Sequence, residues 1–212
     1  MIKLSEIACL SGSCFLDRSD FFPGLGWMLT RRLWDEELRA TWPPAFWDEY
    51  MRSKDVRRGR SCIRPEVSRS HTFGRIGVSN GQFFDSYLQY NHLNEKPAAF
   101  NSTALLVSLI PSNYDPQFLS EVYDKSVLLE NLDQLANPSQ YSSPGASCRY
   151  EYKTRAQFVE AAKLMGAMLD FKEGVARTAY LGVVSVHFRG RRVYLAPGGS
   201  RGWSSNDYPN WS

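Results

Sequence analysis

Three features of this 212-residue chain predict an α/β fold. Thr154 and Gln157 make a capping-box pattern at the head of a helix whose apolar face is Phe158, Ala161, Ala162, Met165, Met168 and Leu169. YLGVVSVHF and RRVYLAP, on either side of Arg189 and Gly190, are β-branched and aromatic arms that read as a β-hairpin, with Gly190 supplying a positive φ. TALLVSLIP, residues 103 to 111, is a short apolar run ended by proline and suits a buried strand. The length allows one domain, or two small ones that share an interface.

The first twenty residues are polar and weakly periodic. RSDFFPGLGW, residues 18 to 27, then runs an aromatic pair into Pro23, Gly24 and Gly26, which predicts a tight turn before a helix. WMLTRRLWDEEL, residues 27 to 38, spaces Trp27, Leu33, Trp34 and Leu38 as one face of an amphipathic helix ending before Pro43. Pro43 and Pro44 open AFWDEYMR, a short helix with Asp48 and Glu49 in its early turns. From Lys54 to Gln82 the pattern dissolves into Arg, Gly, Ser and Pro, an extended loop with at most brief strands; loops that long are functional or disordered.

FFDSYLQYNHL reads as helical or extended, and residues 91–101 as a linker. The chain therefore divides into 1–90 and 102–212. PQFLSEVYDKSVLLENLDQLA, residues 116 to 136, has proline near its start and helical spacing behind it. Tyr150 and Tyr152 alternate with charges as in a strand, Gly174 is the expected stop of the capped helix, and the tail from Gly198 reads as irregular. The methionines of the capped helix are read as core filler.

Composition excludes several function classes. With 43% hydrophobic and 22% charged residues and a formal charge of +3, the chain lacks the basicity expected of a nucleic-acid binder. Its six Trp, eleven Tyr and twelve Phe suit cores and sugar-binding faces alike. Cys9, Cys14, Cys62 and Cys148 form neither a CxxC pair nor a Cys/His cluster, so no structural zinc is expected. No apolar run reaches the ~18 residues of a membrane span, and IACLSGSCFL, preceded by Glu6, is a poor signal-peptide core.

The stretch from Trp42 to Phe84 concentrates the candidate chemistry. Asp48, between Trp47 and Glu49, is either a solvated helix carboxylate or a proton acceptor desolvated by aromatic neighbours. Glu49 points to a different face, so at most one of the two serves a common site. Arg57, Arg58, Arg60, Arg64, Arg69 and Arg75 offer guanidinium forks to phosphate oxygens, or form a salt-bridged loop. Gly74, Gly77 and Gly81, with Ser79 among them, permit close backbone approach to an anion but match neither the P-loop nor the dinucleotide fingerprint. His71, His92 and His187 are scattered, and Ser11 and Ser13 lack the G-x-S-x-G elbow, so neither a histidine metal set nor a hydrolase triad is expected.

RSDFFPGLGW (18–27), WPPAFWDEYMR (42–52), RRGRSCIRPEVSRSHTFGRIGVSNGQFFD (57–85) and FRGRRVYLAP (188–197) closely resemble the C-terminal half of the N-acetylglucosaminyltransferase I family. The resemblance covers nearly everything from Arg18 onward. It implies the C-terminal part of a GT-A glycosyltransferase domain followed by a small α+β domain with the hairpin. It also implies an inverting, Golgi-lumenal transferase that moves GlcNAc from UDP-GlcNAc, with Mn²⁺ on the diphosphate, to the α-1,3 mannose of high-mannose N-glycans in β-1,2 linkage. The protein O-mannose β-1,2-GlcNAc-transferase is a related alternative, and a non-catalytic remnant that binds glycan or a full-length transferase is another.

By the same resemblance, Asp48 is the catalytic base, Leu25, Trp47 and Ser79 contact the donor, and the loop from Arg75 to Gln82 orders over bound nucleotide sugar. The loop departs from the family's form at Ile76 and Asn80. The family's acidic EDD metal motif has no counterpart here, and no D-x-D occurs, so no metal ligand is assigned; Asp35, Glu36 and Glu37 read as a solvent face. The donor-binding strands, the stem and the membrane anchor are expected to be missing, and the chain alone is expected to be inactive. Cys62 matches a cysteine whose disulfide partner lies in that missing part, leaving Cys9 or Cys14 as substitutes. Asn101 and Asn210 begin N-x-S/T sequons.

Overall fold

A computed structural model describes residues 15–72, 74–76, 80–204 and 206–211. The architecture is mixed α/β. Its main sheet has four strands: β3 (Val127–Leu129), β4 (Cys148–Tyr152), β7 (Val184–Phe188) and β8 (Arg191–Pro197), in the order β3-β4-β8-β7. β4 runs parallel to both β3 and β8, while β7 and β8 pair antiparallel around Arg189 and Gly190, whose φ values are 49° and 74°. The hairpin arms thus meet through a two-residue turn with two positive φ angles, the geometry that matches strand twist.

The capped helix α7 (Arg155–Met165) crosses between β4 and β8 and packs on the sheet. Its capping box forms in both directions: the Gln157 amide donates to Thr154 Oγ1 at 3.2 Å, and the Thr154 amide to Gln157 Oε1 at 3.2 Å. Phe158, Ala161 and Ala162 are buried against Tyr152 and Phe171, with Phe158 ring contacts at 5.1 and 4.9 Å. Burying such a phenylalanine stabilises the fold by about 1.5–3 kcal/mol. The helix stops at Gly166, left-handed at φ 69°, and not at Gly174; Met168 and Leu169 lie beyond it. Gly174 instead turns β5 (Phe171–Lys172) into β6 (Val175–Ala176), where any Cβ would overlap the Pro209 carbonyl oxygen.

Two apolar segments fold otherwise than their composition suggests. TALLVSLIP is a helix, α4 (Thr103–Ser108), with Leu105 and Leu109 one turn apart and buried. Apolar runs of this length do not discriminate helix from strand. Pro111 settles it by opening the next helix, α5 (Pro111–Ser120), at its first position. α5 passes through Pro116, continues as a π-turn over Glu121–Lys125, and gives way to β3, so residues 116–136 are not one helix. α6 (Leu132–Ala136), capped by Asn131, follows separately.

At the other end, β1 (Leu16–Ser19) pairs antiparallel with β2 (Cys62–Pro65). The helix expected over residues 27–38 begins only after Thr30, which caps α1 (Arg31–Leu33), and then runs as a π-turn (Trp34–Leu38) and a 3-10 turn (Arg39–Thr41). α2 (Trp47–Arg52) starts later than AFWDEYMR suggests, and α3 (Lys54–Arg57) is a helical turn inside the stretch read as loop. Among the described residues no helix is long and apolar enough to cross a membrane.

Candidate functional site

The turn after β1 folds onto α2, and an aromatic cluster holds the two together. Trp27 stands 5.4 Å from both Phe22 and Trp47, and Trp42 reaches Trp27, Trp34 and Tyr50 at 6.3, 5.1 and 5.7 Å. Contacts of this edge-on and tilted kind add about 0.5–1.5 kcal/mol each beyond area burial. Gly24, at φ 76°, sits where a Cβ would lie 3.4 Å from the Arg52 guanidinium, 3.9 Å from Asp48 Cβ and 4.0 Å from the Trp47 ring. The glycine therefore gives both the turn and the close approach to α2. Phe46, immediately before α2, is 76% exposed and held at φ 54°, ψ 40°. A bulky residue seldom adopts that conformation, and it costs on the order of 1–3 kcal/mol.

On α2, Asp48 is 37% exposed and its Oδ2 accepts from Arg52 Nη1 at 2.8 Å. Asp48 Oδ1 has no hydrogen-bond partner among the described residues. Arg52 itself is buried, donates to the Phe22 carbonyl at 3.1 Å and stacks over Phe21 at 4.9 Å. Glu49 is held away by Arg52 at 3.2 Å and by Lys172 at 3.0 Å. Behind Arg52, Arg177 lies 5.0 Å from Phe21 and 4.7 Å from Phe83, fixed by a two-oxygen grip on Asp170 at 2.9 and 2.7 Å. One carboxylate oxygen is thus anchored to a buried cation while the other remains open to a ligand.

The fold gathers three of the four site residues read from the sequence. Trp47 and Asp48 start α2, and Leu25, 47% exposed, follows the glycine packed against them. Ser79, with Gly77, lies outside the described residues. Of that loop the described part shows Arg75 on Asp85 at 2.5 Å and over Phe84, with Gly81 passing so close beneath Arg75 that any Cβ would overlap its carbonyl oxygen.

The arginine run is engaged internally. Arg57 is buried and donates to the Asp20 carbonyl at 2.9 Å, Arg58 and Arg60 hold Glu37 at 3.1 and 2.8 Å, and Arg64 faces Asp17 at 3.6 Å. The Asp35–Glu37 trio is tied up as well: a hydrogen bond from Arg60 lowers the Glu37 carboxyl, and Arg31 and Arg32 meet Asp35 and Glu36 at 3.2 and 3.6 Å. Among the described residues no group of three or more His, Cys, Asp or Glu is placed to hold a metal ion. The Mn²⁺ implied by the resemblance therefore has no fitting ligand set in these residues.

Arg52, Arg177 and Asp20 support the segments around Asp48 and have no place among the candidates read from the sequence. Arg52 had a local signal, since it follows Asp48 by four positions on a helix. Cys62 carries a free thiol, which burial and the nearby Asp20 carboxylate push up to about 11 against the pull of Arg57; Cys9 and Cys14 lie outside the described residues. Iodoacetamide at pH 8 is expected to leave Cys62 largely unmodified in the folded chain, with labelling rising tenfold or more in denaturant. Peptide mapping that finds equal rates would refute the burial argument.

The chain is similar to the alpha-1,3-mannosyl-glycoprotein 2-beta-N-acetylglucosaminyltransferase of Arabidopsis thaliana, with 40% identity over 181 residues. The match covers 85% of this chain and 39% of the relative, so the chain spans well under half of that protein's length. The GNT-I family model matches residues 6–210, and this chain belongs to the GNT-I family.

Proposed function

We propose that this chain carries the acceptor-activating part of an inverting GlcNAc transferase, with Asp48 as general base and UDP-GlcNAc and a high-mannose N-glycan as substrates. The observation that supports it most is the asymmetric Asp48 carboxylate, with one oxygen anchored by buried Arg52 and the other without a partner among the described residues, on a side chain that is 37% exposed. An acceptor hydroxyl is a poor nucleophile at neutral pH. As its oxygen forms the bond to the anomeric carbon and the bond to the UDP oxygen breaks, its proton passes to Asp48 Oδ1. Arg52 keeps the carboxylate aimed through the bond to its Oδ2.

Leu25, Trp47 and Ser79 are proposed as donor contacts, residues 1–90 as the end of a GT-A domain, residues 102–212 as the following unit, and the Golgi lumen as the setting. No step is assigned to the Mn²⁺ that the resemblance implies, because the described residues offer it no ligand set.

The relative's greater length suggests a direct test. A chimera in which residues 6–210 replace the matching segment of the Arabidopsis relative is expected to transfer GlcNAc from UDP-GlcNAc to a high-mannose N-glycan. The 212-residue chain with the same substrates and Mn²⁺ is expected not to. A folded but inert chimera would sink the proposal, and turnover by the chain alone would overturn its dependence on further residues.

A further inference from the structure

A cleft lies away from Asp48, where β1 and β2 face the β7–β8 hairpin and α5. Its volume is about 280 Å³, close to the lower end of small-ligand pockets. Its apolar wall is a ring cluster: Tyr114 stacks on Phe118 at 5.6 Å, and Tyr180 meets both at 5.5 Å. Its charge is balanced, with Asp17, Glu66 and Glu121 set against Arg18, Arg64 and Arg192. A cleft of that balance does not select for anions.

Two of the cleft's three arginines are well matched, and the third is not. Arg192 pairs with Glu66 and donates to Ser185 Oγ at 2.9 Å, and Arg18 donates to Tyr180 and to the Leu109 carbonyl at 2.9 and 2.8 Å. Asp17 and Arg64 sit directly opposite in the β1–β2 ladder, yet their nearest atoms are 3.6 Å apart. Arg64 Nε is buried with no hydrogen-bond partner among the described residues. Burial, with the nearby Glu66 carboxylate adding to it, pushes the Asp17 carboxyl up against the pull of Arg64, Arg192 and a hydrogen bond from Tyr114. Buried polar groups left unmatched, as Arg64 Nε is, cost about 1–3 kcal/mol and call for a partner.

We infer that this cleft binds a neutral pyranose sugar. Vicinal hydroxyls donate to Asp17 and accept from Arg64 side by side, which an apolar or purely anionic ligand cannot do. The edges of Tyr114, Phe118 and Tyr180, with Phe15 beside them, give the cleft an apolar wall for the C–H groups of the sugar. The volume holds about one residue, so the site recognises a single sugar unit of a glycan. The inference stands on the cleft alone and does not depend on the transfer reading at Asp48.

The test uses the 212-residue chain titrated with N-acetylglucosamine, methyl α-mannoside and inorganic phosphate, read by calorimetry and by aromatic NMR shifts. At least one of the two sugars is expected to bind with a Kd of about 1 mM and to shift the Tyr114 and Tyr180 rings, while phosphate does not. Asp17→Asn and Arg64→Met are each expected to weaken binding tenfold or more. Ser185→Phe, which fills the cleft without touching that pair, is expected to abolish it with circular dichroism unchanged. Binding of neither sugar overturns the inference. So does sugar binding that survives Asp17→Asn but is lost in Asp48→Asn, which locates the sugar at the other site, and so does equal binding of phosphate.

Discussion

Asp48→Asn is expected to lower kcat for GlcNAc transfer by about 10²–10⁴-fold in the chimera, with the KM for UDP-GlcNAc changed by no more than a few-fold. That is a barrier increase of about 3–5 kcal/mol. The substitution is chosen because it spares the geometry. An asparagine carbonyl oxygen still accepts from Arg52 Nη1 in place of Asp48 Oδ2, and Arg52 keeps its bond to the Phe22 carbonyl. What disappears is the ability to take a proton at the open oxygen.

Glu49→Gln is the matched control. Glu49 is adjacent in sequence but engaged by Arg52 and Lys172, and its loss is expected to change kcat by less than about fivefold, since half-exposed ion pairs contribute little. If Asp48→Asn turns over at the parent rate in the folded chimera, Asp48 is not the base. If Glu49→Gln proves the more damaging of the two, the roles are exchanged.

Features set by neighbours in sequence were legible, and those set by distant partners were not. The Thr154–Gln157 capping box and the Arg189–Gly190 hairpin turn are complete within a few residues, and both form. The 103–111 run was misread because apolar content alone carries no period; Leu105 and Leu109 are buried while Leu106, Val107 and Ile110 are half exposed, a helical pattern visible only once a partner surface exists. Gly174 and Gly166 both follow the capped helix, and the nearer one ends it because Ala167 then turns back, its amide donating to the Ala162 carbonyl. Asp48 stands out in the sequence as an acid beside bulky neighbours, the roles of Asp48 and Trp47 rest on the resemblance, and the ring cluster around them arises from six aromatics brought from three separate segments. Arg177 had no signal near it: its stack on Phe21 joins positions more than 150 apart.

Asp20→Ala is expected to destabilise the chain by about 3–5 kcal/mol. The Asp20 carboxylate accepts from Ser61 Oγ at 2.6 Å, the Leu181 amide at 2.9 Å and the Tyr208 hydroxyl at 2.7 Å. Those donors come from the approach to β2, the turn before β7 and the C-terminal tail, so one side chain joins three segments to the turn that carries Leu25. Tyr208 passes the connection on, since its oxygen also accepts from the Gly182 amide at 2.8 Å. Each buried donor stranded by the truncation costs about 1–3 kcal/mol, and the sum falls short of additive because Ser61 can turn to water.

For a chain of this length the change corresponds to a fall in Tm of roughly 6–20 °C. Asp20→Asn retains one acceptor oxygen but turns an amide toward donors, so its loss should be intermediate. Tyr208→Phe should cost about 1–2 kcal/mol alone. Combined with Asp20→Ala it should cost less than the two separately, because both remove the bond between Asp20 and Tyr208. Thermal unfolding that places Asp20→Ala within 1 °C of the parent, or a strictly additive double variant, would show that the three segments are held to the site by packing and not by this carboxylate.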